Sequence, residues 1–125
     1  MALGLERQDG SLVCERCLLA ETPLTRLKGL LGRRELPRGE GLLLRPAPSI
    51  HTFFMRFPID AVWLDGNLRV LKISARIPPW RTAACKGAKG VVELAAGEAE
   101  RRGVRAGDRL ALRELPEAAP ATSAA

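Results

Sequence analysis

Aromatic residues are scarce in this chain of 125 residues, which has three Phe, two Trp, no Tyr and one His. Four of the five Phe and Trp residues and the histidine fall within residues 49–65, SIHTFFMRFPIDAVWLD. Because large aromatic side chains bury the most area per residue, we expect the core to form around this stretch. The stretch also carries His51, Arg56 and Asp60, whose polar groups need solvent or hydrogen-bond partners beside a core.

Cysteine is also scarce, and long apolar runs are absent. The three cysteines are an odd number and cannot all pair within the chain, so we expect reduced thiols rather than disulfides. No apolar run is long enough to span a bilayer, and residues 1–10 are interrupted by charges and glycine, unlike a signal peptide. The sequence therefore predicts a soluble, cytoplasmic protein that does not contact a membrane.

The charge balance is basic, with 20 Lys and Arg against 14 Asp and Glu, a net charge of +6 supplied mostly by arginine. Such a balance favours an anionic partner, but codon bias in the source genome produces it equally well. Two basic segments stand out. They contain Arg26, Lys28, Arg33, Arg34 and Arg38, and Arg76, Arg81, Lys86 and Lys89.

Single-strand nucleic-acid binding requires aromatic side chains interleaved with the positive charge. The first basic segment has none, and Trp80 and Arg81 are the one adjoining aromatic and cationic pair in the second. A solvated basic face is therefore the preferred interpretation, and nucleic-acid binding remains an alternative.

The length fits one domain, which we place at residues 1–115, followed by a low-complexity tail at residues 116–125 that we expect to be disordered. Short apolar runs separated by Pro and Gly predict a mainly β fold. We expect a small sandwich or barrel of short, mostly antiparallel strands with one or two short helices. The predicted strands are residues 12–20, 42–44, 50–57, 61–64, 68–77, 90–94 and 109–113.

Three local signals add detail to this fold. Thr22 and Pro23 are typical of a helix start, and leucines at helical spacing over residues 24–31 predict a face that packs on the sheet. The sequence Asp65-Gly66-Asn67 predicts a tight hairpin. Residues 78–89 follow neither periodicity and predict a long loop, a kind of segment that is often functional.

Several motifs occur in an order typical of one family. They are GLLGRRELP at 29–37, GLLL at 41–44, HTFFMRFPID at 51–60, the Asp-Gly hairpin, VVELAAG at 91–97 and GVRAGD at 103–108. This order resembles the bacterial and archaeal family called domain of unknown function 192, over roughly residues 12–112. The resemblance implies a small mainly β sandwich or barrel and no settled activity. Many relatives carry a signal sequence, and many have Ser and Lys in place of His51 or Thr52 and Arg56, so it implies no family-wide chemistry that requires histidine.

A metal site is one candidate. Cys14 and Cys17 form a C-x-x-C motif and, with His51 and Cys85, would complete a Cys₃His set for zinc. We expect both motif cysteines within one strand, where residues three apart point to opposite faces, and no second C-x-x-C or histidine pair follows. The sequence therefore predicts no metal and no cofactor, with the cysteines acting as small apolar residues.

Catalysis is another candidate, with His51 as base, Asp60 as its orienting acid and Cys85 as nucleophile. A single histidine beside apolar residues is more often structural, and Asp60 is expected to accept backbone hydrogen bonds at a turn. This small enzyme remains an alternative to the preferred function.

The preferred hypothesis is a non-enzymatic binding or accessory module. Its groove would lie between loop 78–89 and the strand end near residues 51–60, and would take a small polar or anionic ligand. Trp80 would form an apolar wall, and Arg56 or Arg81 would contact the anion. The sequence does not indicate an oligomeric state.

Overall fold

The computed structural model describes residues 2–116, so the predicted tail lies outside the described residues apart from Pro116. The described chain contains ten strands and two short helices. They are β1 (Ala2–Arg7), β2 (Leu12–Cys14), β3 (Arg16–Ala20), α1 (Pro23–Lys28), β4 (Glu40–Leu44), β5 (Ser49–His51), β6 (Ile59–Leu64), β7 (Val70–Ile77), β8 (Thr82–Ala84), β9 (Gly90–Ala95), α2 (Glu98–Arg101) and β10 (Leu110–Leu115). The prediction of a mainly β fold with short helices is confirmed. Neither helix of residues 2–116 has the length and apolar character needed to cross a membrane.

The strands form three sheets, with strand orders β10-β1-β2, β3-β4-β9-β6-β7 and β5-β8. All strand pairs are antiparallel except β3 with β4. The three-stranded and five-stranded sheets share one apolar core, formed by Leu5, Val13, Leu43, Val62, Val92, Leu94 and Leu110 among others. The arrangement is therefore a sandwich, and the sheets of the described residues do not close into a barrel.

The five-stranded sheet is buried on its second face as well. Side chains alternate between the two faces of a strand, so Val92 contributes to the first core while Val91 contributes to a second apolar cluster. This second cluster includes Trp63 and is covered by residues between α1 and β6, among them Leu30 and Met55. The central strands β9 and β6 are thus enclosed on both sides, and every residue of β6 is buried.

The N-terminal part of the chain departs from the prediction in two ways. Strand β1 was not predicted, because its glycine and charges obscure the alternation, yet it pairs with β10 over six residues. The single strand predicted at residues 12–20 is instead two strands in different sheets. The chain bends at Glu15, where the N–H groups of Glu15 and Arg16 both donate to the carbonyl of Gly39, at 2.8 and 2.9 Å.

Helix α1 begins as predicted, with Thr22 as N-cap and Pro23 in the first turn. It ends at Lys28 rather than 31, because Gly29 adopts a φ of 46°. The expected packing of the leucines on the sheet is wrong for Leu24 and Leu27, which are 80% and 69% exposed, and is confirmed for Leu30 and Leu31, which pack in or against the second cluster. Only after the helix does Leu30 reach the second cluster.

The segment after β4 also differs from the prediction. The strand predicted at residues 50–57 stops at His51 and gives way to turns, so the prediction is wrong beyond that point. The long loop predicted at residues 78–89 contains the short strand β8, which pairs with β5. The hairpin prediction is confirmed, since the Asp65 carboxylate accepts the N–H groups of Asn67 and Arg69 at 2.8 and 2.9 Å.

The predicted aromatic core is confirmed for one half of the stretch and wrong for the other. Trp63 is fully buried, and its indole N–H donates to Ser74 Oγ at 3.0 Å. Phe53 and Phe54 are exposed instead, because the chain leaves the sheet after His51.

One buried carboxylate links the strands β6 and β7 of the five-stranded sheet to helix α2. Asp60 of β6 is fully buried, and its Oδ1 accepts the Arg76 N–H of β7 at 2.8 Å. Its Oδ2 accepts the N–H groups of Gly97 and Ala99, at 3.0 and 2.9 Å. Gly97 is the N-cap of α2 and has no side chain to satisfy these donors. Asp60 therefore caps α2 from another strand.

We predict that Asp60→Ala lowers the free energy of unfolding by ~3 kcal/mol or more, because three N–H groups lose a fully buried acceptor. Asp60→Asn should lower the free energy of unfolding by less, because the amide oxygen can still accept a hydrogen bond although the amide nitrogen cannot. Urea unfolding measures both, with the exposed Glu100→Ala as control. An unchanged midpoint for Asp60→Ala would refute the structural role and favour a functional one.

Candidate functional site

A pocket of about 190 Å³ opens between α1 and the connection from β4 to β5. Its walls are mostly apolar and include Leu27, Leu30, Leu44, Ile50 and Met55. Four of its lining side chains are ionisable, namely Arg26, Lys28, His51 and Glu93. A concave apolar site with few polar groups is the usual form of a small-molecule site.

Glu93 lies at the inner end of this pocket. It occupies the middle of the central strand β9, opposite Leu42 of β4 and Ala61 of β6, and it is only 4% exposed. No hydrogen bond or ion pair reaches its carboxyl group from any residue of 2–116. Burial alone raises the pKa of Glu93 from 4.5 to about 7. The site therefore holds a buried acid that is partly protonated near neutral pH.

The outer part of the pocket is positive. Arg26 donates to the carbonyl of Arg45 at 3.2 Å and more distantly to that of Glu21, and it has no carboxylate partner among the described residues. Lys28 likewise forms no ion pair within this part of the chain. A ligand entering the pocket would meet two cations first and the Glu93 carboxyl last.

The predicted catalytic residues are not brought together. The ring Nδ1 of His51 accepts the Phe53 N–H at 3.3 Å, and both oxygens of Asp60 are occupied by backbone donors. Cys85 packs beside the second apolar cluster, with its thiol 3.8 Å from the Lys86 carbonyl oxygen. Across residues 2–116 no hydrogen bond links His51, Asp60 and Cys85.

The motif cysteines are also placed differently from the prediction. Cys14 and Cys17 were expected on opposite faces of one strand, but the bend at Glu15 buries both in the first core. Contact with Cys17 and burial raise the pKa of the Cys14 thiol. His51 and Cys85 lie elsewhere, and in the described chain no three His, Cys, Asp or Glu side chains are grouped to hold a metal ion.

The residues predicted to bind a ligand, Arg56, Trp80 and Arg81, do not line the pocket. Trp80 belongs instead to an exposed cluster that we call the aromatic patch, which consists of His51, Phe53, Phe54 and Trp80. Ring centroids are 5.2 Å apart for His51 and Phe53, 6.0 Å for Phe53 and Trp80, and 4.7 Å for Phe54 and Trp80. Phe54 is 70% and Trp80 55% exposed. The predicted anion contacts Arg56 and Arg81 are exposed beside it in the chain. His51 belongs to both the patch and the pocket lining.

A buried threonine fixes the aromatic patch. Thr52 Oγ1 donates to the Pro78 carbonyl at 2.7 Å and accepts the Arg81 N–H at 2.8 Å. Its backbone carbonyl accepts the Trp80 N–H at 2.9 Å. Phe54 and Trp80 have φ angles of 65° and 67°, a region that costs such bulky residues roughly 1–3 kcal/mol. The Thr52 carbonyl also accepts the Met55 N–H at 3.2 Å, which closes the turn that contains Phe54, so Thr52 fixes the backbone at both aromatic residues.

Comparison with known proteins identifies the family. A family model described as uncharacterized ACR, domain of unknown function 192 (DUF192), matches residues 5–112. The chain belongs to the DUF192 family. The resemblance inferred from the ordered motifs is thereby confirmed.

Curated relatives of this DUF192 chain are archaeal and bear the name UPF0127 protein. One from Thermococcus sibiricus is 29% identical over 111 residues, covering 85% of this chain and 71% of the relative. One from Pyrococcus furiosus is 34% identical over 97 residues, covering 73% of this chain and 81% of the relative. These names assign no activity.

Two crystal structures share the DUF192 fold seen here. A protein of unknown function from Novosphingobium aromaticivorans superimposes with a TM-score of 0.76 and 26% identity, covering 87% of this chain and 82% of that one. A "putative transcription regulator" from Sinorhizobium meliloti gives a TM-score of 0.77 at 24% identity, covering 88% and 91%. The second likeness concerns the fold alone.

Sequence reasoning missed Glu93, although a signal for it exists. It is the only charged residue in the apolar run of β9, GVVELA, which is typical of a strand buried on both faces. A single acid in such a run is expected to be buried, so the sequence of β9 could have predicted a buried carboxyl at Glu93.

We predict that Glu93 makes the stability depend on pH between 4.5 and about 7. The folded state keeps a proton that the unfolded state releases in this window, so the free energy of unfolding falls as pH rises and levels off above the window. The total fall from this group is about 3 kcal/mol. Glu93→Gln should abolish it, whereas Glu100→Gln at the surface should not. Identical pH profiles for wild type and Glu93→Gln would contradict the burial of an unpaired carboxyl.

Proposed function

We propose that this protein is a small-molecule binding module whose ligand occupies the pocket above Glu93. One observation supports it most strongly: the side chain of Glu93 is only 4% exposed, lines a pocket, and has no hydrogen-bond or ion-pair partner among the described residues. Buried polar groups in folded proteins are normally hydrogen-bonded, and an unsatisfied one lowers stability. A ligand that enters the pocket can donate a hydrogen bond to Glu93, which no residue of 2–116 supplies.

The surroundings define the ligand class. Its inner end carries an ammonium or N–H donor, because a charge-assisted hydrogen bond to a carboxylate is the strongest available there. Its middle is apolar, to match Leu30 and Met55. Its outer end is polar or anionic, facing Arg26 and Lys28. The ligand is therefore a small amphiphilic amine, with an anionic group at the other end.

The proposed site differs from the groove expected from the sequence. None of Arg56, Trp80 and Arg81 lines the pocket, whereas His51 does. The enzymatic alternative has less support, since Asp60 is engaged with backbone donors and Cys85 is not among the pocket residues. Ligand binding, unlike catalysis, requires no groups beyond those that line the pocket.

The test uses three ligands with the same six-carbon acid chain: 6-aminohexanoate, 6-hydroxyhexanoate and hexanoate. Amide chemical shifts of Glu93, Leu30 and Met55 are followed by NMR at a pH above 7, where Glu93 is ionised. We expect the amine to bind roughly tenfold or more tightly than hexanoate, since hydrogen bonds to charged groups are among the strong ones.

Glu93→Leu fills the same position without a carboxyl and should remove the preference for the amine, while Glu100→Leu should keep it. Equal affinity for all three ligands, or an amine preference that survives in Glu93→Leu, would refute the proposal.

A further inference from the structure

A second surface lies beside the Glu93 pocket and shares His51 with it. We propose that the aromatic patch, with Arg56 and Arg81, binds single-stranded nucleic acid. Unpaired bases stack on Phe54 and Trp80, and the two arginines contact the neighbouring phosphates.

The first support is the clustering of the rings. Large exposed apolar residues are normally scattered over a surface, and a contiguous group marks an interaction site. Here Phe53, Phe54 and Trp80 are all exposed, and each has a ring within 6.0 Å of another. Every nucleobase has a flat face, so stacking on such rings tolerates any sequence. A duplex hides these faces and should bind poorly.

The second support is charge. The two segments that form the patch, residues 48–58 and 78–89, contain Arg56, Arg81, Lys86 and Lys89 but no Asp or Glu. Neither Arg56 nor Arg81 forms an ion pair within the described chain. Some cations elsewhere are paired with an acid, for example Arg76 with Glu100 at 3.5 Å, whereas Arg26 and Lys28 are not paired within residues 2–116. The patch therefore presents uncompensated positive charge to an anionic partner.

The third support is the alternation of ring and cation. Arg56 follows Phe54 by two residues, and Arg81 follows Trp80 directly. The sequence alone indicated only the Trp80 and Arg81 pair. The pairing of β5 with β8 brings the phenylalanines next to Trp80, so that the rings form one contiguous group. A single strand offers bases to the rings and phosphates to the arginines, which favours nucleic acid over anions that lack bases.

Binding is measured by anisotropy of a labelled oligothymidylate of about 16 nucleotides, together with quenching of tryptophan fluorescence. Trp63 is fully buried and Trp80 exposed, so quenching reports on the patch. We expect Trp80→Ala and Phe54→Ala each to weaken binding by roughly tenfold. Arg56→Gln and Arg81→Gln should each reduce the slope of log affinity against log salt by about 0.7.

Matched controls lie on β7, away from the patch in sequence. Leu71→Ala removes an exposed apolar side chain and should leave the affinity unchanged. Lys72→Gln removes an exposed charge and should change the affinity less than the arginine variants do. Glu93→Leu should bind the oligonucleotide normally, which separates this inference from the proposed pocket function.

Four results would overturn the inference. They are no binding at low salt, equal binding of a duplex of the same length, equal binding of polyglutamate, and affinity unaffected by Trp80→Ala. Anionic phosphatidylglycerol vesicles are the remaining comparison. If they bind and shift the Trp80 emission while the oligonucleotide does not, the patch is a membrane-contacting surface instead.

Discussion

The Asp60 carboxylate is the interaction on which the rest of the structure depends. It accepts three backbone N–H groups from β7 and the start of α2, and none of these donors is paired by its own element. By holding β6 to β7 and to the chain after β9, it fixes the centre of the five-stranded sheet. Glu93 lies opposite Ala61, the residue after Asp60. The network therefore anchors the strand that pairs with β9 at Glu93.

The two buried acids of this sheet show opposite solutions to the same physical problem. Removing a carboxylate from water is costly unless hydrogen bonds replace the lost hydration. Asp60 is supplied with three donors, whereas Glu93 has none among the described residues and instead has a raised pKa. A fold able to satisfy one acid completely leaves the other unsatisfied beside an open pocket, and such perturbed groups concentrate at functional sites.

Local chemistry made part of the structure predictable. Thr22-Pro23 and Asp65-Gly66 determine a cap and a turn through contacts a few residues apart, and both predictions were confirmed. Long-range pairing decided the rest: β1 depends on β10, at the other end of the described chain. Phe53 and Phe54 looked like core residues because composition cannot show that Thr52 bonds to residues 78 and 81. Of the residues that line the pocket, only His51 had been predicted as a site residue. Glu93 was missed because the pairing of β9 with β4 and β6, rather than proximity in the sequence, brings it to the pocket.

The central claim is that Glu93 is an unpaired carboxyl facing an open pocket. Its most direct test is a ¹³C NMR titration of the Glu93 side-chain carboxyl carbon in the free protein. The structure predicts a midpoint near 7, because burial disfavours the charged form and no donor opposes it. A midpoint near 4.5, the ordinary value for glutamate, would show a solvated or hydrogen-bonded carboxylate and contradict the account.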